Sequence, residues 1–173
     1  PVLERCIFRH NGWNLYLIAD GYQGREIKQA VVDFLNAVSG KSKNTITITE
    51  NSKVVALAIH GNSNLIVYVG HDGLMDFQLQ SYPQKANNDK RDIIILACYS
   101  KSYFASPVRT SGAYPMLWTT GLMAPEAYTL KSAIDGWILK ENYDTIYLRA
   151  AKAYNKYQRC GLSAAKRLFT SGW

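Results

Sequence analysis

The sequence predicts a single α/β domain, with a mostly parallel sheet and helices on both faces, over residues 1–173. Three observations support this prediction. Short apolar runs rich in β-branched residues indicate buried strands, and segments with apolar residues at helical spacing alternate with them. Chains of this length bury one hydrophobic core. Strands that alternate with helices are joined by crossovers, which favours a parallel sheet covered on both sides.

In the first third of the chain, the sequence predicts one strand and one helix, and two further segments fit more than one type of structure. Residues 14–19 are apolar and indicate a buried strand that ends at Asp20. The helix over 27–38 shows an apolar stripe and a glycine shortly after its end. Residues 45–49 fit an edge strand or a loop. Residues 54–59 fit a strand or a helix, and a helix is favoured because a Thr-Glu pair precedes them.

The rest of the chain alternates strands and helices more regularly. A polar segment containing proline and two asparagines predicts a loop over 78–92. The strands are expected at 65–69, 93–97 and 115–119, and the helices at 127–138, 144–158 and 163–169.

Composition and charge narrow the classes of partner. The net charge is +7 and many basic residues fall late, on helix-like sequence that fits a solvated face. We expect no nucleic-acid partner, because no recognition motif accompanies these basic residues. No apolar run predicts a membrane span. We expect a soluble protein, cytoplasmic rather than secreted or periplasmic. The sequence does not predict the oligomeric state. A start at Pro1 is compatible with a missing N-terminal segment.

The cysteines are too few for a disulfide scaffold and too scattered for a metal site. They are Cys6, Cys98 and Cys160, and a pair between Cys6 and Cys160 is left open. No metal and no cofactor is expected.

His71 and Cys98 are the pair of residues that predicts a catalytic site. Each follows a predicted strand, and in parallel sheets functional groups gather at the carboxyl ends of the strands. A thiol becomes a competent nucleophile beside a base, and histidine suits that role near neutral pH. The backbone N–H groups of Gly73 and Cys98 could then bind a developing oxyanion. The predicted reaction is acyl transfer through a thioester.

These motifs resemble those of the caspase, gingipain, legumain and separase superfamily of cysteine peptidases. The segment Tyr68-Val69-Gly70-His71-Asp72-Gly73 is closest to the separase and CHAT-domain style, with Asp72 where a glycine usually stands. Residues 73–77 and 119–128 also resemble segments of an uncharacterised bacterial family within this superfamily. The resemblance implies a caspase-like three-layer sandwich with His71 and Cys98 as the dyad and a polypeptide as substrate.

The resemblance also implies a pocket for the substrate side chain. In the superfamily the end of the first strand helps to form it, so Asp20 there would suit Lys or Arg, and Asp72 is a second acid for it. Thr119 and Thr120 could line a substrate groove. Each residue has a plainer interpretation: Asp20 and the threonines as turn residues, and Asp72 as a cap or a group that orients His71.

Two functions remain open from sequence. The first is an active cysteine endopeptidase with a possible preference for basic residues, for which Lys85, Lys90 and Arg91 offer a self-cleavage site. The second is an inactive caspase-like module for binding or regulation. In that case Cys98 is an inert buried thiol and His71 a loop cap. His60, before Gly61, is a rival base.

Overall fold

The computed structural model describes residues 2–173, and Pro1 lies outside the described residues. Over this range the chain forms a mixed α/β structure. The strands are β1 Val2–Arg9, β2 Tyr16–Tyr22, β3 Lys43–Glu50, β4 Lys53–His60, β5 Leu65–Val69, β6 Asp92–Leu96, β7 Tyr114–Thr119 and β8 Phe169–Thr170. The helices are α1 Ile27–Val38, α2 Ser100–Ser111, α3 Ala127–Ile138, α4 Tyr143–Gln158 and α5 Leu162–Leu168.

The central sheet has the strand order β5-β6-β7-β8. The first three strands run parallel, as the three buried apolar runs predicted, and β8 pairs antiparallel with β7. In the pairing of β5 with β6, Leu65 lies opposite Asp92 and Val69 opposite Leu96. This register fixes which residues meet at the carboxyl edge of the sheet.

Helices cover both faces of this sheet because its strands are apolar on both sides. Along β6, Ile93 and Ile95 join a core cluster that includes residues of α1 and α2. Ile94 and Leu96 point the other way, into a cluster that includes residues of α3, α4 and α5. The α/β class and the helices on both faces are therefore confirmed. We call these two clusters the α1–α2 core and the α3–α5 core.

Two hairpins depart from the prediction. The strand expected at 14–19 is β2, which pairs antiparallel with β1 instead of joining the parallel sheet. The helix favoured over 54–59 is wrong, because these residues belong to β4, paired along its whole length with β3. Asn51 and Ser52 explain this: both have positive φ, as a two-residue hairpin turn requires.

Helix α2 follows the Cys98 turn and was not predicted. Its sequence is polar, it contains Pro107, and its largest buried side chains are Phe104 and Val108. It ends at Gly112, whose φ of 74° is the left-handed conformation common after helices. Within residues 2–173, no helix has both the length and the apolar character that a bilayer crossing needs.

Candidate functional site

His71 and Cys98 leave neighbouring strands at the same level. Val69 lies opposite Leu96 in the parallel ladder, and each site residue comes two positions after its strand ends. The N–H of Gly70 donates to the Leu96 carbonyl at 3.1 Å, so the pairing continues beyond the strands. Neighbouring strands are about 4.8 Å apart, which brings the two loops within reach of one substrate.

Corresponding residues of β5 and β6 face the same side of the sheet. Ile94 and Leu96 face the α3–α5 core, and Val67, opposite Ile94, packs against the same core. His71 and Cys98 come after these strands, the first beyond Gly70 with its φ of 148° and the second in a turn. The register therefore gives the two segments a common edge of the sheet.

The Cys98 sulfur contacts the backbone of Met123. The Met123 N–H donates to Sγ at 3.5 Å, and the thiol donates to the Met123 carbonyl at 3.6 Å. Cys98 is half-buried, whereas Cys160 is exposed, and Cys6, Cys98 and Cys160 are all free thiols. The loop after β7 therefore forms one wall of the site.

The His71 ring is exposed and bound to a carboxylate. Its Nε2 lies 2.6 Å from Asp76 Oδ2, and the two side chains are 56% and 62% exposed. The Tyr68 hydroxyl donates to the His71 carbonyl at 2.7 Å, and burial raises the pKa of this tyrosine. Among the described residues no hydrogen bond joins His71 to Cys98. The two residues follow neighbouring strands, and each side chain binds a partner of its own.

The chain turns sharply after Cys98. Tyr99 has φ 49° and ψ 29°, a left-handed conformation that is uncommon for residues other than glycine, and α2 begins at the next residue. The Tyr99 N–H donates to the Gly121 carbonyl at 2.9 Å. The turn is therefore held against the loop after β7.

The backbone N–H groups of Cys98 and Gly73, the pair expected to bind an oxyanion, donate to no protein acceptor in residues 2–173. The N–H groups of His71, Asp72 and Ala97 at the same edge have none either. Gly73 opens a 3₁₀ turn that ends at Met75. A Cβ at Gly73 would come within 2.8 Å of Phe77 and 2.9 Å of Ile27, so the close packing of this turn requires glycine.

Asp72 is fully buried, and it does not line an open pocket. Its Oδ1 accepts from the Leu74 N–H at 3.0 Å, which caps the 3₁₀ turn. Its Oδ2 has no hydrogen-bond partner among the described residues. Burial raises its pKa to about 6, against smaller opposing effects of the Leu74 N–H and His71. The capping interpretation of Asp72 is the one that the geometry supports.

The two threonines differ in position. Thr119 is fully buried, so it does not line a groove, and its hydroxyl contacts the start of α2 and the end of β6. Thr120 is exposed, and its hydroxyl donates to the Arg167 carbonyl at 2.6 Å. Thr120 therefore attaches the loop after β7 to the end of α5.

Asp20 belongs to the hairpin β1–β2, away from the parallel strands whose carboxyl ends carry the dyad. It accepts two hydrogen bonds from the Arg5 guanidinium, at 2.5 and 2.7 Å, which lower its pKa. His60, the rival base, lies at the end of β4 in another hairpin. Its Nδ1 is 2.9 Å from Asn44 Oδ1 and its Nε2 3.8 Å from Asp20. Both groups already have partners of their own.

Two residues at the site, Asp76 and Met123, were not predicted from the sequence. Asp76 follows His71 by five positions, directly after the 3₁₀ turn. An acidic residue so near in sequence could have suggested a carboxylate partner for the imidazole. Met123 contacts Cys98 only through its backbone, and a backbone contact has no residue-type signal in the sequence. In residues 2–173, no three His, Cys, Asp or Glu side chains cluster as metal ligands.

A cleft of about 690 Å³ lies elsewhere, at the amino end of β6. Asp92 and the aromatic side chains Trp13, Trp137 and Tyr143 line it. Trp137 and Tyr143 both donate hydrogen bonds to the Asp92 carboxylate, at 3.1 Å each. Because Asp92 begins the strand that Cys98 follows, this cleft and the dyad are at opposite ends of the sheet.

The chain matches no protein-family model, no curated protein and no solved structure.

Proposed function

We propose that this protein is a cysteine endopeptidase with a caspase-like three-layer sandwich, related to the separase and CHAT-domain type. Its nucleophile is Cys98 and its base is His71. The observation that supports the proposal is the register: the pairing of Val69 with Leu96, extended by the Gly70 hydrogen bond, brings the segments that carry His71 and Cys98 to one edge of the sheet. A thiol and an imidazole at one edge of a sheet are the minimum that thiol acylation requires.

The reaction begins with proton transfer from the Cys98 thiol to His71. Because Asp76 binds Nε2 of the His71 ring, Nδ1 is the ring nitrogen that can accept the thiol proton. The thiolate attacks the scissile carbonyl, and the oxyanion accepts from the N–H groups of Cys98 and Gly73. Collapse transfers the proton from His71 to the leaving amine and leaves a thioester on Cys98. Water, deprotonated by His71, hydrolyses this thioester.

The side-chain preference is a separate part of the proposal. A basic preference needs a free acid beside the nucleophile, but Asp20 is paired with Arg5 and Asp72 is buried. Neither offers an open carboxylate to a substrate, while exposed apolar side chains such as Val69 and Leu122 lie on the segments around the dyad. The probe must therefore carry both basic and apolar residues.

The first experiment is labelling with peptide acyloxymethyl ketones that carry Arg, Lys or Leu next to the reactive group. Intact mass and peptide mapping locate the adduct. We expect one adduct, on Cys98, that is lost in Cys98→Ala and His71→Ala. Because a dyad activates one thiol only, the exposed Cys160 should stay unlabelled.

Two variants serve as matched controls. Cys160→Ala removes the exposed free thiol, and His60→Ala removes the rival imidazole, which is bound to Asn44. Labelling at Cys98 should persist in both. Equal labelling of Cys6, Cys98 and Cys160, or none, would refute an activated nucleophile. Loss of labelling in His60→Ala would transfer the role of base to that residue.

A second function has an observation of its own. The sulfur of Cys98 is engaged by Met123 and the imidazole of His71 by Asp76. Such an uncoupled pair also fits an inactive caspase-like module that binds or regulates a partner. Probe labelling separates the two functions, because the module would give no adduct that depends on His71.

A further inference from the structure

We infer that Thr119 is a positioning residue, which fixes the direction of the Cys98 N–H and so assembles the oxyanion site. The inference deepens the proposed function and rests on it for its chemical consequence. Thr119 is fully buried, so it does not reach a substrate, and among the described residues its hydroxyl has no hydrogen bond to the Cys98 thiol. It acts through the peptide group that joins Ala97 to Cys98.

The Thr119 hydroxyl donates to the Ala97 carbonyl oxygen in a short hydrogen bond. No peptide bond among the described residues is cis, and in a trans peptide the C=O and the following N–H point in opposite directions. Holding the Ala97 oxygen on Thr119 therefore holds the Cys98 N–H on the opposite side. That N–H has no protein acceptor among the described residues, so it is free to receive an oxyanion.

The same hydroxyl also accepts from the Ser100 N–H at 3.2 Å, the first amide of α2. One oxygen thus joins the peptide before Cys98 to the helix after it, across the strained conformation of Tyr99. Ala97 is fully buried, so without Thr119 its carbonyl would lose a partner. A buried carbonyl without a partner favours rotation of the peptide, and rotation would carry the Cys98 N–H away.

Ser100 provides a control in the same buried cluster. Its hydroxyl lies 3.0 Å from the Thr119 hydroxyl, but it donates to the Ile95 carbonyl and accepts from the Thr119 N–H. Among the described residues this hydroxyl has no hydrogen bond to the peptide between Ala97 and Cys98. Removing it should reduce stability without turning that peptide.

The experiment compares Thr119→Val, Thr119→Ser and Ser100→Ala with the wild-type chain. Valine matches the shape of threonine without the hydroxyl, and serine keeps the hydroxyl. Two reactions are followed: turnover of a peptide ester, which passes through an oxyanion, and alkylation of Cys98 by iodoacetamide, which does not. Thermal unfolding confirms that each variant is folded, and Thr119→Ala replaces the valine variant should that one not fold.

We expect Thr119→Val to lower kcat about tenfold to a hundredfold with KM unchanged, since losing one oxyanion donor outright costs 10²–10³-fold. Iodoacetamide should alkylate Cys98 at the wild-type rate. Thr119→Ser should restore kcat, and Ser100→Ala should keep it. Equal kcat in Thr119→Val and Thr119→Ser, or a parallel loss of turnover and alkylation, would overturn the inference.

A readout that needs no turnover separates this inference from the proposed function. The backbone amide resonance of Cys98 should move in Thr119→Val and stay in place in Thr119→Ser and Ser100→Ala. If the wild-type chain forms no acyl-enzyme but this resonance moves, the peptidase fails and the positioning role stands. A resonance that stays in place in Thr119→Val overturns the positioning role whatever the enzyme does.

Discussion

At the scale of single residues, Asp72 combines full burial with an ionisable group. One carboxyl oxygen caps the 3₁₀ turn through the Leu74 N–H, and the other has no partner in the part of the chain that the structure describes. Its pKa is raised to about 6, well above the ordinary range near 4. The folded protein therefore holds this proton more tightly than the unfolded chain does.

The sign of the pH effect follows from that difference. The stabilising contribution of protonated Asp72 is present below about pH 4 and is lost as pH rises through about 6. Asp72→Asn keeps the capping oxygen and has no charge. We expect the variant to be more stable than wild type at pH 8, by about 2 kcal/mol, and equal to it near pH 4. Urea unfolding across this range measures the difference.

Asp135, half-buried and paired with Lys131 one helical turn away, is the control residue. Asp135→Asn should change stability by less than about 0.5 kcal/mol at pH 8. A wild-type chain that is as stable as Asp72→Asn at pH 8 would show that burial of the Asp72 carboxylate has no net cost.

The placement of His71 and Cys98 at one sheet edge was predictable from the sequence, but their partners were not. The two residues follow recognisable strands, and parallel strands end at a common edge. The contact of Cys98 with Met123 spans 25 positions, and the bond of Thr119 to Ala97 spans 22. Such contacts depend on how loops close over the sheet edge, for which one sequence has no periodic signal.

At the scale of elements, the long connection between Met75 and β6 is held in place without regular structure of its own. Arg91, only 3% exposed, lies at its end. The guanidinium donates to the Gly61 carbonyl at 2.9 Å, to Asn87 Oδ1 at 2.8 Å and to the Asp89 carboxylate at 3.2 Å. These bonds attach the loop to the turn between β4 and β5.

Arg91→Met should therefore destabilise the fold by about 2–4 kcal/mol, because it leaves buried acceptors without donors. Lys90→Met, at the exposed neighbouring position, should change stability by no more than about 0.5 kcal/mol. Chemical unfolding of both variants provides the test. Equal effects would mean that the loop owes its place to other contacts.

The elements predicted best were those with one unmistakable pattern. The three buried apolar runs became β5, β6 and β7, and the stripe at 27–38 became α1. Helix α2 was missed because its buried side carries few large apolar residues, and because Pro107 is a residue that helix interiors rarely contain. Residues 54–59 were assigned to the wrong type because a short apolar run fits both periods, and only pairing with β3 decides.

At the scale of the whole molecule, β6 divides two cores that lie back to back. Ile94 and Ile95 are adjacent and fully buried, yet each faces a different core. Ile94→Ala and Ile95→Ala should each cost about 2–5 kcal/mol of unfolding free energy. Because one strand serves both cores, we expect a single transition in both variants.

Far- and near-ultraviolet circular dichroism during urea unfolding provides the measurement, with Leu139→Ala as the control at a 55% exposed position. Coincident curves from the two signals indicate one cooperative unit. Separate transitions in either variant would mean that the two sides of the sheet unfold independently.

Trp118, the residue before Thr119, also gives the site an optical reporter. Its indole is fully buried, lies edge-on to Trp173 at 5.6 Å between ring centroids, and has the Lys101 ammonium 5.5 Å from its own centroid. Lys101 belongs to the first turn of the helix that begins beside Cys98. A shift of that helix changes the electric field on the indole. Ultraviolet emission could therefore follow events at the thiol in real time, with no dye attached.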